Sequence, residues 1–239
     1  MPSVRAPLRH LLLALLSCVA LPLAARAATI TWTNAAGGNW NVPGNWSPAQ
    51  VPVAGDDVVI TLAGTYTVTV NVSPSVNSLT LGAASGVQTL SMTSQTLTLA
   101  AASSVGANGR LSLLNGTVNG AGTLTNSGTV VTVSSCTFGT PLVTTGTSIV
   151  RVEGNGSSGT ATLTVANGFT NNGAIELTNT AINQSATLNV TAGTLVNAAG
   201  ATISTLAGAG GGSRTLGLEL ANAGTVTIAQ GTTVNRASA

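Results

Sequence analysis

Apolar and polar residues alternate with period 2 along most of this chain, in short runs separated by Gly, Pro and Asn. Tyr66, Val68, Val70 and Val72 alternate with Thr67, Thr69 and Asn71, the pattern of a half-buried strand. Just before them, Asp56-Asp57 leads into the β-branched run Val58 to Thr61, which predicts another strand. From about residue 76 the pattern repeats itself. A motif apolar-x-Asn-x-Gly-x-apolar occurs at Leu124–Val130, Phe169–Ile175 and Leu220–Val226, with a one-residue-longer copy at Leu195–Ile203. Its asparagines, Asn126, Asn171, Asn197 and Asn222, are 45, 26 and 25 residues apart, so the first interval reads as two periods of about 22. A second marker, Thr-Leu-x-apolar, starts at Thr162, Thr187 and Thr215, with spacings of 25 and 28.

Two markers with one period in the low to mid twenties predict an all-β fold, a right-handed parallel β-helix (β-solenoid) in which each repeat is one coil. Leu, Val and Ile face inward as ladders, and Leu163, Leu188 and Leu216 are expected to stack as one of them. Thr and Val suit the strands. Gly and Asn at the corners are expected to supply turn conformations with positive φ. Residues 76–239 are enough for roughly seven coils rising ~4.8 Å each. A β-sandwich, the other option for short alternating strands, would show strands every 8–12 residues without this longer period.

All three tryptophans, Trp32, Trp40 and Trp46, fall within fifteen residues of a Pro- and Gly-punctuated segment. The end coil of a solenoid exposes its apolar cross-section and must be covered, so the segment reads as an N-terminal cap. The same indoles are also weak carbohydrate candidates, since aromatic rings stack on sugars. Asp56 and Asp57, near Asn39, Asn41 and Asn45, are weak calcium candidates without the spacing of a calcium loop; turn-forming carboxylates are the plainer reading.

The first 27 residues read as a secretory signal peptide. Arg5, Arg9 and His10 form the basic region, Leu11 to Leu23 the apolar one, and Ala25-Arg26-Ala27 an A-x-A cleavage site. Leu15-Leu16-Ser17-Cys18 also resembles a bacterial lipobox, which would make an acylated Cys18 the new terminus. Because the apolar run continues past Cys18 to Ala27, cleavage ahead of Ala28 is expected. The chain then divides into the leader (1–27), a Trp-rich cap with the first strands (28–75), and β-helix repeats (76–239) that are truncated or uncapped at the C-terminus. Removing the leader changes the charge picture: seven Lys and Arg become four against five acids, so a net charge of +2 becomes −1. That balance excludes a basic nucleic-acid footprint. No later run spans a membrane. Cys136 is left as the mature chain's lone thiol, expected to be a small buried apolar group rather than a reactive one.

The pattern W-x₇-W-x₅-W-S-x₄-P-x₃-D-D-x-V-I (Trp32 to Ile60), followed by VNSLTL and GTLTNSGTV-type units, resembles bacterial secreted β-strand-repeat surface proteins, including autotransporter passengers and filamentous haemagglutinin-like adhesins. The likeness covers most of the mature chain. It implies an elongated, secreted or surface-attached β-helix. These 239 residues carry no C-terminal barrel, sorting motif or hydrophobic anchor, which makes a fragment or a truncated relative the expectation.

Candidate chemistry is sparse. Charged residues make up 5% of the chain; the only His, His10, leaves with the leader, and there is no Lys. His-based triads, His zinc sites and P-loops are therefore excluded. Glu153 and Glu176, 23 apart, fall on neighbouring coils, where a sugar-cleaving pair of acids would stand. Their apolar flanks point them outward instead, as solvated charges, with Arg151 on the face of Glu153 as its partner. The expectation is a non-enzymatic, secreted or surface-displayed structural or adhesin segment, without catalytic residues or cofactors. Its expected partners are host or environmental glycans or cell-surface molecules. A carbohydrate-binding or carbohydrate-cleaving β-helix is the alternative.

Overall fold

The computed structural model describes residues 27–235, and they form a parallel β-helix of about seven turns. One seven-stranded and two nine-stranded sheets run along the stack. A coil visits them in turn. Ser78–Leu81 lies in the first sheet, Gln88–Thr93 in the second and Thr96–Leu99 in the third, before Ser103–Val105 returns to the first one level on. Neighbouring coils pair in parallel, so each strand's backbone groups bond to the coils on either side. In-register partners are 18 residues apart at Leu124 and Leu142 but 28 apart at Ala186 and Arg214, so loops of varying length blur the period.

Alternation along each strand sends every second side chain into the lumen. In the second sheet, Val68, Leu90, Leu111, Val130, Val150, Ile175 and Ile203 stand in consecutive registers and are essentially inaccessible. In the third, Cys136, Leu163, Leu188 and Leu216 stack as one internal ladder, which is the register the Thr-Leu marker predicts. Each such residue contributes roughly 1.5–3 kcal/mol through burial, and side-by-side stacking of like residues keeps the lumen filled where coil lengths differ.

The Asn-x-Gly motif forms the corner that leads into the second sheet, from the first sheet at Asn126 and from strands of the third at Asn171, Asn197 and Asn222. Asn171 pairs in register with Asn197, and Asn197 with Asn222. Their amides make a ladder: Asn171 donates to the Asn197 side chain at 2.9 Å, and Asn197 to that of Asn222 at 2.7 Å. Thr144 takes the place of the missing asparagine in the coil after Asn126, which explains the double interval of 45. The motif's glycines differ from expectation. Gly128, Gly173 and Gly224 do not have positive φ. They are required by close approach, because a Cβ on Gly173 would lie 2.4 Å from the Ser148 carbonyl oxygen of the previous coil. Only the longer copy, at Gly200, uses a positive φ, of 83°. At the corner between the second and third sheets the left-handed residues are Ser94, Asn115 and Ser134, each a single hinge between two strands.

The two ends of the described stack differ. At one end Trp46–Ser47 runs antiparallel to Thr29–Trp32 and closes the edge of the first sheet, over the three buried tryptophans. At the other, Thr225–Ile228 and Thr232–Asn235 are paired on one side only, with Ile228 61% and Val234 57% exposed.

Candidate functional site

Trp32, Trp40 and Trp46 pack together edge to face, with ring centroids 4.8 and 4.9 Å apart, and Tyr66 stacks on Trp32. Pro43–Asn45 forms a short 3₁₀ turn that brings Trp46 back over Trp40. The Trp46 indole N–H donates to the Trp40 carbonyl, and that of Trp32 to the Asn34 carbonyl, each at 2.7 Å. The Trp40 indole N–H is buried without an acceptor among the described residues. None of the three rings is more than 2% exposed. A sugar needs an open ring face, and here those faces lie against one another and the lumen. The structure thus places the weak carbohydrate candidates in the interior.

The calcium candidates are likewise committed to the protein. Asp56, 5% exposed, accepts the backbone N–H groups of Val53 and Ala28. Asp57 accepts the Ser78 hydroxyl at 2.5 Å and the Asn77 amide at 2.7 Å, and these two bonds hold its carboxyl below the usual carboxylate value. The asparagines that would complete a cation site bond elsewhere: Asn41 with Asn71, and Asn45 with Asn34 and Asn39. Among the described residues no three His, Cys, Asp or Glu side chains come together as a metal site would require.

The two glutamates of the second sheet stand on adjacent coils but two rungs apart. Register sets Glu176 opposite Arg151 and Glu153 opposite Thr178. Arg151 therefore pairs with Glu176 of the next coil, at 2.6 and 2.7 Å, and not with Glu153 of its own strand, because a lateral neighbour in a parallel sheet is nearer than the residue two along. Both partners remain partly exposed, so the pair adds little to stability. Cys136 lies in the lumen, where its thiol donates to the Val133 and Leu113 carbonyls and burial pushes its pKa up. Such a thiol is a packing group.

Two features have no signal in the sequence markers. Arg214 is fully buried at the end of the Gly-rich loop 206–213, and its guanidinium donates to the carbonyls of Leu206, Ala207, Gln184 and Ser213. It holds that loop against the preceding coil; its register partner Ala186, and Ala161 one coil further back, are small, and nothing in the repeat marks the position as internal. The second is a groove of about 340 Å³ on the outer face of the third sheet. Thr164, Asn189, Gly217 and Asn235 follow one another in register along its floor, and Thr215 and Thr191 border it. It lies where the long strand Ala186–Asn197 changes register between Asn189 and Thr194. Hydroxyls and amides share its lining with a larger apolar surface that includes Val190, and none of the lining side chains is charged. Compared with known proteins, the chain matches no family model, and no curated protein or solved structure shows significant similarity to it.

Proposed function

We propose that the chain is an exported, non-enzymatic β-helical segment of a bacterial secreted or surface protein, serving as a structural stalk or adhesive face. The observation that carries this reading is the outer surface of the stack. It is built from Thr, Ser and Asn at strand positions, over a lumen closed by Leu, Val and Ile ladders. Such a body is stiff and extended, about 30 Å for seven turns, and its neutral hydroxyl faces suit adhesion through many weak contacts. The A-x-A site ahead of Ala28 supports export. The test is expression of the full chain in a bacterial host, followed by fractionation and mass measurement of the exported product. Recovery outside the cytoplasm, with adhesion to cells or glycan-coated surfaces, is expected; retention in the cytoplasm with the leader intact would overturn the reading.

A carbohydrate-binding role is favoured by one specific observation, the neutral groove of the third sheet. Thr164, Asn189 and Thr215 present side chains there that make no hydrogen bonds within the described residues. Uncharged hydroxyls and amides beside apolar surface match the chemistry of a neutral glycan. Glycan-array binding that is lost in Asn189→Ala and Thr215→Val would support it, and binding unaffected by both would refute it. The cleaving form of this reading has less support, because Glu153 and Glu176 do not oppose each other and Glu176 is held by Arg151.

A further inference from the structure

We propose that Asp56 is the binding site for the α-ammonium group created when the chain is cut between Ala27 and Ala28, so that leader removal completes an ion pair beneath the Trp-lined end of the helix. The inference rests on the reading of residues 1–27 as a leader. Asp56 is 5% exposed, and among the described residues its two oxygens receive only backbone N–H groups, from Val53 at 2.9 Å and from Ala28 at 3.3 Å. Among the described residues the one salt bridge is Arg151 with Glu176, so Asp56 is a carboxylate largely withdrawn from water with no cation beside it. Such a charge is costly unless a counter-ion accompanies it.

The missing cation is supplied by the chemistry of processing at the very nitrogen that already faces Asp56. A signal-cleaving peptidase hydrolyses the Ala27–Ala28 amide: the C–N bond breaks, water gives its hydroxyl to the Ala27 carbonyl carbon and a proton to the Ala28 nitrogen. The new amine takes a further proton from solvent to become an ammonium. A long neutral hydrogen bond thereby becomes a charge-assisted one. Ala28 is suited to anchor there. Its side chain packs on the core, its carbonyl accepts the Asp57 N–H at 2.8 Å, and it leads into Thr29–Trp32, which carries the buried Ile30 and Trp32. Ala27, ahead of it, is exposed. The cleavage motif thus ends where chain packing begins.

The absence of lysine provides a direct test, because the α-amine is the only amine an acylating reagent can label. The full chain is expressed, the exported product is purified, its mass and first residue are determined, and its labelling rate at neutral pH is measured folded and in urea, for wild type and Asp56→Asn. A first residue of Ala28 with labelling at least about ten-fold slower when folded, the effect of a one-unit rise in amine pKa, is expected, with that protection lost in Asp56→Asn. Equal rates for the folded and unfolded wild type would overturn the ion pair while leaving the leader reading intact, and this arm does not depend on the variant's folding. Equal protection in wild type and Asp56→Asn would also overturn it. A first residue other than Ala28, including an acylated Cys18, would overturn the leader reading and the ion pair together.

Discussion

Replacing Trp40 by alanine tests whether the aromatic cluster holds the end of the coil stack. The indole is inaccessible and packs edge-on against Trp46 at 4.9 Å. Truncating a buried aromatic to alanine costs about 3–5 kcal/mol, and the lost ring–ring geometry belongs to the upper part of that range. Two details of the site adjust the figure. The Trp46 indole donates to the Trp40 backbone carbonyl, which any substitution retains, so that bond survives. The Trp40 N–H has no acceptor among the described residues, and deleting it relieves a buried unpaired donor worth about 1–3 kcal/mol. Trp40→Ala is therefore expected to cost about 3 kcal/mol. Trp40→Phe, which keeps a ring against Trp46 and also removes the orphan donor, should cost less than about 1.5 kcal/mol. Urea titrations followed by far-ultraviolet circular dichroism give both values from midpoint and slope. A loss below about 1 kcal/mol for Trp40→Ala, or equal losses for the two variants, would refute the reasoning.

Asn171→Ala removes an inaccessible amide that donates to Asn197, Gly173 and Thr202 and accepts from the Gly173 N–H; a destabilisation of about 2–4 kcal/mol is expected in the same titration. Gly173→Ala should be more damaging than Gly200→Ala, although only Gly200 has positive φ, because the Gly173 Cβ would meet backbone at 2.4 Å while Gly200 faces open space; thermal midpoints in the reverse order would contradict the close-approach account of the corner. Asp57 has a lowered pKa in the fold, so its stabilising contribution is complete above the ordinary carboxylate value of about 3.8 and is lost as pH falls through the lower folded value. Asp57→Asn should accordingly be less stable than wild type at neutral pH and converge with it in acid; parallel stability curves across that range would refute the assignment.

The coil register was legible because two markers are tied to two physical constraints. Thr-Leu-x-apolar records strand alternation against the lumen, and Asn-x-Gly records an amide ladder beside a corner too tight for a Cβ. The reason for the glycines was not legible, since close approach to the previous coil depends on stacking that composition does not encode. Coil length was legible only as an average, because loops such as 206–213 lie outside the repeat. The tryptophans could be located as a cluster, but their burial follows from the antiparallel return of Trp46–Ser47. Partners across coils were the hardest to read. Arg151 shares a strand with Glu153 but pairs with Glu176, and the groove at Asn189 lies at a register shift within one long strand.

The central claim, that the repeats stack as parallel in-register coils, is tested most directly by disulfide trapping on the outer face of the third sheet. Thr162, Thr187 and Thr215 occupy one column on three successive coils. Adjacent strands lie ~4.8 Å apart, within the Cα separation a disulfide bridges, whereas two coils are about 9.6 Å apart and beyond it. In a Cys136→Ala background, the pair Thr162→Cys/Thr187→Cys should close intramolecularly under mild oxidation and Thr162→Cys/Thr215→Cys should not. Closure of the second pair in preference to the first, or of neither, would contradict the stack.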